Sequence, residues 1–150
     1  MFQPPTNHDA GHDAEQAFAG AKLMLFLGED LLVLHRDDRD DIPFPDGRDF
    51  PGGGRENAET PIDCALRETL EETGLILSPR DISWARAVER PHGLVWFYAA
   101  HLPARRVGDV VFGGEGQGWA LMTPDSYCAH PKAIPPFVDI LQSYLLESAR

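Results

Sequence analysis

Apolar and polar positions alternate in blocks along this chain, and the blocks predict its elements. "AGAKLMLFLG" from Ala19 and "DLLVLHR" from Asp30 flank Gly28–Glu29–Asp30, predicting two buried strands joined as a hairpin. "DDRDDIPFPDGRDF" mixes charge, Pro and Gly, so it reads as a surface loop whose acids face water. From Pro61 the period changes to that of a helix. Thr60 is placed to cap it, Pro61 suits its first turn, Asp63 favours its positive end, and Gly74 stops it, predicting a helix from Pro61 to Thr73. Ile62, Leu66, Thr69, Leu70 and Thr73 fall on one side of this helix, the packed side. Glu68, Glu71 and Glu72 fall on nearly the opposite side.

After Pro79, "ISWARAVER" and "GLVWFYAAHL" read as two strands around Pro91–His92–Gly93. The polar loop "PARRVGDVVFGGEGQG" leads to a short strand, "WALM". Pro124 and Pro131 are expected to break the stretch that follows. "PPFVDILQSYLLESA" then closes the chain as a helix, with Phe137, Ile140, Leu141, Tyr144 and Leu145 recurring at three and four. Strands, helix, strands, helix is the order of one mixed α/β domain, 18–150, preceded by a flexible arm over residues 1–17. Two histidines in that arm, His8 and His12, are read as part of a solvated tail rather than as metal ligands.

Composition narrows the function. With 150 residues the chain is long enough for one core burying roughly two thirds of its unfolded surface. Thirteen basic against 24 acidic residues give a formal charge of −11, and no Lys/Arg run offers a track for a long polyanion. Small anionic substrates stay open, because a bound divalent cation reverses the field locally. The N-terminus has no basic segment followed by an apolar run, and "LMLFL" is too short to span a bilayer, so neither export nor a membrane partner is expected. Cys64 and Cys128 form no C-x-x-C pair and are read as free thiols, which by default suits the cytoplasm.

The candidate chemistry lies in "PGGGRENAETPIDCALRETLEETGL", residues 51–75. Gly52, Gly53 and Gly54 directly before a capped helix allow backbone to approach a ligand where side chains would obstruct it. Hard oxygen ligands clustered on a rigid helix suit Mg²⁺ or Mn²⁺, with phosphate completing the coordination. An acidic outer face on an ordinary amphipathic helix is the competing reading of the three glutamates alone. Together with the glycines they point to metal-assisted attack at phosphorus.

Residues 53–75 resemble the signature of the Nudix hydrolases at Gly53, Glu59, Arg67, Glu68, Glu71, Glu72, Gly74 and Leu75. The departure is Thr69, where the family has an aliphatic side chain; Ala58 lies outside the fixed pattern. The resemblance implies an α/β/α sandwich with a mixed β-sheet and a loop–helix–loop catalytic motif. It implies Glu68 and Glu72 as principal metal ligands, Glu71 as a third ligand or water-orienting carboxylate, and Glu59 supporting or sharing a metal. Arg67 would hold the carboxylates in place. "FGGEGQGW" resembles the late loop from which members donate a further carboxylate, here Glu115. The implied reaction is Mg²⁺-dependent hydrolysis of a nucleoside diphosphate linked to a group X, with Glu68 and Glu71 both open as the base.

Within that reaction class, free (d)NTPs giving a nucleoside monophosphate and pyrophosphate are the expected substrates. Nucleotide sugars, dinucleoside polyphosphates and capped RNA 5′ ends are the alternatives, and a non-catalytic binding module is the third reading. Candidates for a base platform are Trp84, Trp96, Phe97, Tyr98, Trp119 and Tyr127, with His92 and Lys132 as polar candidates. Oligomeric state is left open by the sequence.

Overall fold

The structure, a computed structural model, describes residues 17–149, so the predicted N-terminal arm falls outside the described residues except for Ala17. Strands β1 (Phe18–Leu27) and β2 (Asp30–His35) form the predicted hairpin across Gly28–Glu29. β3 (Arg48–Asp49) and β4 (Gly52–Gly54) precede helix α1 (Pro61–Thr73). A 3₁₀ turn at Pro79–Asp81 leads into β5 (Ile82–Arg90) and β6 (Gly93–Leu102), and a second at Ala104–Asp109 precedes β7 (Gly118–Met122). Two helices close the described chain, α2 (Pro124–Ala129) and α3 (Pro135–Ser148).

These strands make one mixed sheet in the order β3-β2-β1-β6-β5, with β4 on β1 and β7 on β2. β1 is the axis. It runs parallel to β6 along its whole length but pairs with β2 only at Phe26↔Leu31 and Leu27↔Asp30. Its other half pairs antiparallel with β4, from Gly20↔Gly54 to Lys22↔Gly52. The period of two along β1 then builds two cores. Leu23, Leu25 and Leu27 face the layer that holds Ile62, Cys64 and Ala65 of α1. Met24 and Phe26 face Phe137, Ile140, Leu141 and Tyr144 of α3. The architecture is thus an α/β/α sandwich carrying a loop–helix–loop on one face.

Three expectations are corrected. The end of "DDRDDIPFPDGRDF" is not surface loop: Asp49 is 6% exposed and Phe50 wholly buried. Lys22 at 3.1 Å and Arg36 at 3.0 Å neutralise the Asp49 carboxylate, which is what makes burying it tolerable. Pro124 does not break the chain but starts α2. Thr123 accepts a hydrogen bond from the Ser126 amide, so Thr123–Pro124 repeats the cap that Thr60–Pro61 gives α1. On α1 the packed face is rotated from the expected one. Cys64 and Ala65 are fully buried, Leu66 is half-buried and Leu70 is 46% exposed.

Thr69 does take an aliphatic position, fully buried against the sheet side. Its hydroxyl has no hydrogen-bond partner among the described residues, which carries a desolvation cost. Thr69→Val, of equal shape and similar helix tendency, should therefore raise stability by about 1 kcal/mol, read as a shift of the urea midpoint at constant slope.

Candidate active site

Local chemistry fixes α1 at both ends. Thr60 Oγ1 accepts from the Asp63 amide at 3.2 Å, and Gly74 ends the helix at φ 74°, its N–H donating to Leu70 O at 2.9 Å. The carbonyls of the last turn would otherwise lack partners. Glu72 O accepts from the Gly113 amide at 3.0 Å and Thr73 O from the Val111 amide at 2.8 Å. This contact is what returns the "FGGEGQG" segment to the helix. A Cβ at position 113 would lie 2.0 Å from Glu71 O, so the approach requires glycine.

Beyond Gly113 the segment is tied to the sheet. The Gln117 amide donates to His35 O at 2.8 Å, and the Gln117 side chain donates to Arg36 O at 2.8 Å and to Asp46 Oδ1 at 3.1 Å. Asp46 also bonds His35 Nε2. That hydrogen bond is the main reason its carboxyl is held below the usual range. Glu115 is thereby suspended between α1 and β2.

The result is a cavity of about 250 Å³ lined by Glu56, Glu68, Glu71, Glu72, Gly113 and Glu115. All four carboxylates expected to face a metal, Glu68, Glu71, Glu72 and Glu115, meet there, and Glu56 joins them. Glu59 lies behind them. Arg67 donates to it twice, from Nε at 3.0 Å and Nη2 at 2.8 Å, and this pairing lowers its pKa. Arg67 Nη1 reaches Glu56, Glu68 and Glu71 at 3.0, 3.0 and 3.2 Å. One guanidinium thus gathers four carboxylates.

Gly52, Gly53 and Gly54 do not line this cavity. They form β4, where the missing side chain of Gly53 makes room for the Glu68 carboxylate and that of Gly52 lets the strand lie close against β1. A Cβ on Gly53 would sit 2.6 Å from the Glu68 carboxyl carbon, and one on Gly52 would lie 2.2 Å from Ala21 O. The Gly52 amide donates to Glu72 Oε1 at 2.8 Å. So the acidic residues Glu68 and Glu72 do not project from an outer face; they turn in against β4. Burial raises both pKa values, that of Glu72 to about 7 despite the Gly52 hydrogen bond and nearby Lys22. Beneath them, burial and Glu59 push the Cys64 thiol up to about 12, keeping it protonated.

Among the described residues no three His, Cys, Asp or Glu side chains converge as a ready-made metal cluster. Glu68 and Glu71 turn toward Arg67, and Glu72 toward the Gly52 amide. Their donor chemistry nonetheless fits a hard divalent cation, with several carboxylates around one cavity and one of them, Glu72, buried enough to resist ionising alone.

Two further cavities adjoin. One of about 500 Å³ shares Glu72 and Glu115 and adds Arg36, Arg39 and Asp49. Another, about 180 Å³, shares Arg36 and Asp49 and is walled by Phe44, Phe97 and Phe137, with Arg90 and His92 alongside. Of the aromatic candidates only Phe97 lines it, and His92 is there as well. Trp84, Tyr98 and Tyr127 are buried in the cores, while Trp96 and Trp119 pack partly buried on the α1 side. Lys132 is exposed and lines none of the three cavities. Sequence reasoning missed Glu56, Arg36, Phe44, Asp49 and Gln117. Of these only Glu56 had a local signal, its place within the glycine-to-helix segment.

Comparison with known proteins bears on fold and family. The profile of the NUDIX domain matches residues 18–142. A MutT protein from Methanosarcina mazei Go1 superposes with a TM-score of 0.70 at 19% identity, covering 91% of this chain and 99% of that one. An Ap4A hydrolase from C. elegans gives 0.69 at 19% identity, covering 87% and 98%. The E. coli ORF135 protein gives 0.63 at 20%, covering 87% and 91%. At these identities the solved structures speak for the fold. The domain match over most of the sequence speaks for descent, and on that ground the chain belongs to the Nudix hydrolase superfamily.

Proposed function

We propose that the protein is a Mg²⁺-dependent hydrolase of nucleoside diphosphates linked to a group X, acting on (d)NTPs to give a nucleoside monophosphate and pyrophosphate. The observation that carries this reading is the single cavity into which α1 and the Gly113–Gln117 segment together direct Glu68, Glu71, Glu72 and Glu115. Glu68 and Glu72 would hold the cation, with Glu71 completing or flanking the set and Glu115 as a further ligand. Mn²⁺ can substitute, having the same preference for oxygen. When bound, such a cation lowers the pKa of water, screens phosphate charge and stabilises the departing pyrophosphate.

The protein's own groups supply the rest. A carboxylate of the Glu68–Glu71 pair accepts the proton of the attacking water. Arg67 keeps these carboxylates on one side of the cavity through its fork to Glu59. Gly52, Gly53 and Gly54 serve the substrate indirectly: Gly53 admits Glu68, the Gly52 amide donates to Glu72, and Gly54 O accepts from Arg67. Arg36 and Arg39, at the next cavity, offer positive charge to the phosphate chain, and the Phe44–Phe97–Phe137 cavity offers apolar surface to a base.

A panel of (d)NTPs, nucleotide sugars, dinucleoside polyphosphates and a capped dinucleotide, with products resolved by ion-exchange chromatography, tests the assignment. Monophosphate and pyrophosphate from a (d)NTP at the highest kcat/KM is the expected outcome; preference for another member of the panel moves the protein to that substrate class. Within the same reading, Glu115→Gln should lower kcat roughly ten- to a hundredfold and raise the Mg²⁺ midpoint. Because Glu115 is exposed, the variant should melt like the parent. Unchanged kcat and midpoint across a Mg²⁺ titration would remove Glu115 from the site.

A further inference from the structure

Arg67 has more acceptors than it has protons to satisfy them. Its Nε and Nη2 are committed to Glu59 and to Gly54 O, the latter at 2.9 Å. Nη1 carries two protons, and it donates to Glu68 Oε1 at 3.0 Å and to Glu71 Oε2 at 3.2 Å, while Glu56 Oε2 stands at 3.0 Å as an ion pair without a hydrogen bond of its own. Two of these three, Glu68 and Glu71, are carboxylates whose oxygens a divalent cation in the cavity would compete for with Arg67. Glu56 is the third.

Its position is built rather than incidental. The Glu56 amide donates to Glu59 Oε1 at 2.7 Å, and Asn57 follows in the left-handed region at φ 55°, which asparagine tolerates better than other residues with a side chain. The turn therefore holds Glu56 beside Arg67 at the mouth of the carboxylate cavity. None of the signature's fixed positions falls on residue 56.

We propose that Glu56 is a positioning residue that exchanges with Glu68 and Glu71 at Arg67, so that these two are freed for a divalent cation without leaving the guanidinium unpaired. The inference rests on the metal-dependent reading above. The exchange needs no proton or electron transfer; one hydrogen-bond acceptor replaces another. Removing Glu56 leaves Nη1 without a replacement acceptor when a cation draws on Glu68 and Glu71, so the cation binds less well.

The test is Mn²⁺ binding, followed by the loss of the free-ion electron paramagnetic resonance signal, in wild type, Glu56→Ala, Glu56→Gln and Glu72→Gln, with melting in EDTA as the control on folding. Glu56→Ala should weaken Mn²⁺ binding roughly tenfold. Glu56→Gln keeps an acceptor oxygen and should remain within about threefold of wild type. Both substitutions remove one negative charge, so equal weakening would make Glu56 a mere contributor to the field and overturn the exchange. Wild-type affinity in both variants, alongside weakened binding by Glu72→Gln, would likewise overturn it while leaving the metal-dependent reading intact. Absence of Mn²⁺ binding by wild type would overturn that reading, and this inference with it.

Discussion

Glu72→Gln is expected to lower kcat roughly a hundred- to thousandfold while making the metal-free protein more stable at neutral pH. The two effects have one origin. Glu72 is turned inward between β4 and the Gly113 segment, and burial raises its pKa from the ordinary 4.5 to about 7. Ionising it without a cation therefore costs free energy, and a cation offsets that cost. Glutamine retains the oxygen that accepts the Gly52 amide but loses the charge that a cation requires. The sign follows from linkage. A carboxyl whose folded pKa lies above its unfolded one favours folding most below about 4.5, and this contribution fades as pH rises through about 7. In EDTA, the stability advantage of Glu72→Gln over wild type should thus be near zero at acid pH. By pH 7.5 it should approach about 3 kcal/mol at most, because each tenfold change in proton affinity is worth about 1.4 kcal/mol. Thermal melts in EDTA across that range measure it, and saturating Mg²⁺ should narrow the gap. A variant that unfolds while keeping its specific activity would make Glu72 structural.

Arg67→Ala should be the most damaging change to the folded state near the site. It withdraws the one cation shared by Glu56, Glu59, Glu68 and Glu71 and leaves four carboxylates facing one another. Removing one partner of a buried pair costs about 3–5 kcal/mol. Arg67 is 24% exposed and two of its partners, Glu56 and Glu71, are more than half exposed, so solvent screening brings the expectation to about 2–4 kcal/mol. The loss should depend on pH in the direction opposite to that of Glu72. Arg67 holds the Glu59 pKa down, so its stabilisation is present above the ordinary glutamate value and disappears as pH falls through the folded one. Denaturant titrations of Arg67→Ala and wild type should therefore converge as pH falls below the ordinary glutamate range. At pH 7.5, Mg²⁺ should restore part of the difference, and Arg67→Lys should recover charge but not the two-pronged grip on Glu59. Curves that stay parallel at every pH would place Arg67 outside this balance.

How much of this was legible in the chain depends on how local each interaction is. α1 and both its caps were readable because Thr60, Pro61 and Gly74 act within a few residues of themselves. The long strands β1, β2, β5 and β6 were readable from apolar runs and from the turns between them. β3 and β4, two and three residues long, carry no period, and β4 consists of three glycines. What defines them is their pairing with β2 and β1. Asp49 looked like one more acid of a charged loop because its partner Lys22 lies 27 residues away. Leu70 looked buried because periodicity gives a face but not where that face ends. The return of Glu115 to the site depended on the Glu72 and Thr73 carbonyls finding the Gly113 and Val111 amides, and on Gln117 bonding to a strand some 80 residues earlier. A pattern within the segment cannot carry that information. The glycines read as a place of close approach, and in the folded chain what approaches Gly53 and the Gly52 amide is the protein's own Glu68 and Glu72 carboxylates.

As proposed above, the cavity of Glu68, Glu71, Glu72 and Glu115 breaks a nucleoside polyphosphate only when a divalent cation is bound. The most direct measurement is product analysis for the preferred nucleotide with EDTA-treated protein as Mg²⁺ is titrated back. The account predicts no turnover in EDTA, then monophosphate and pyrophosphate appearing together and saturating with Mg²⁺, with Mn²⁺ also effective and Ca²⁺ weaker. Full turnover in EDTA would contradict it, as would Mg²⁺-dependent activity left untouched by Glu72→Gln.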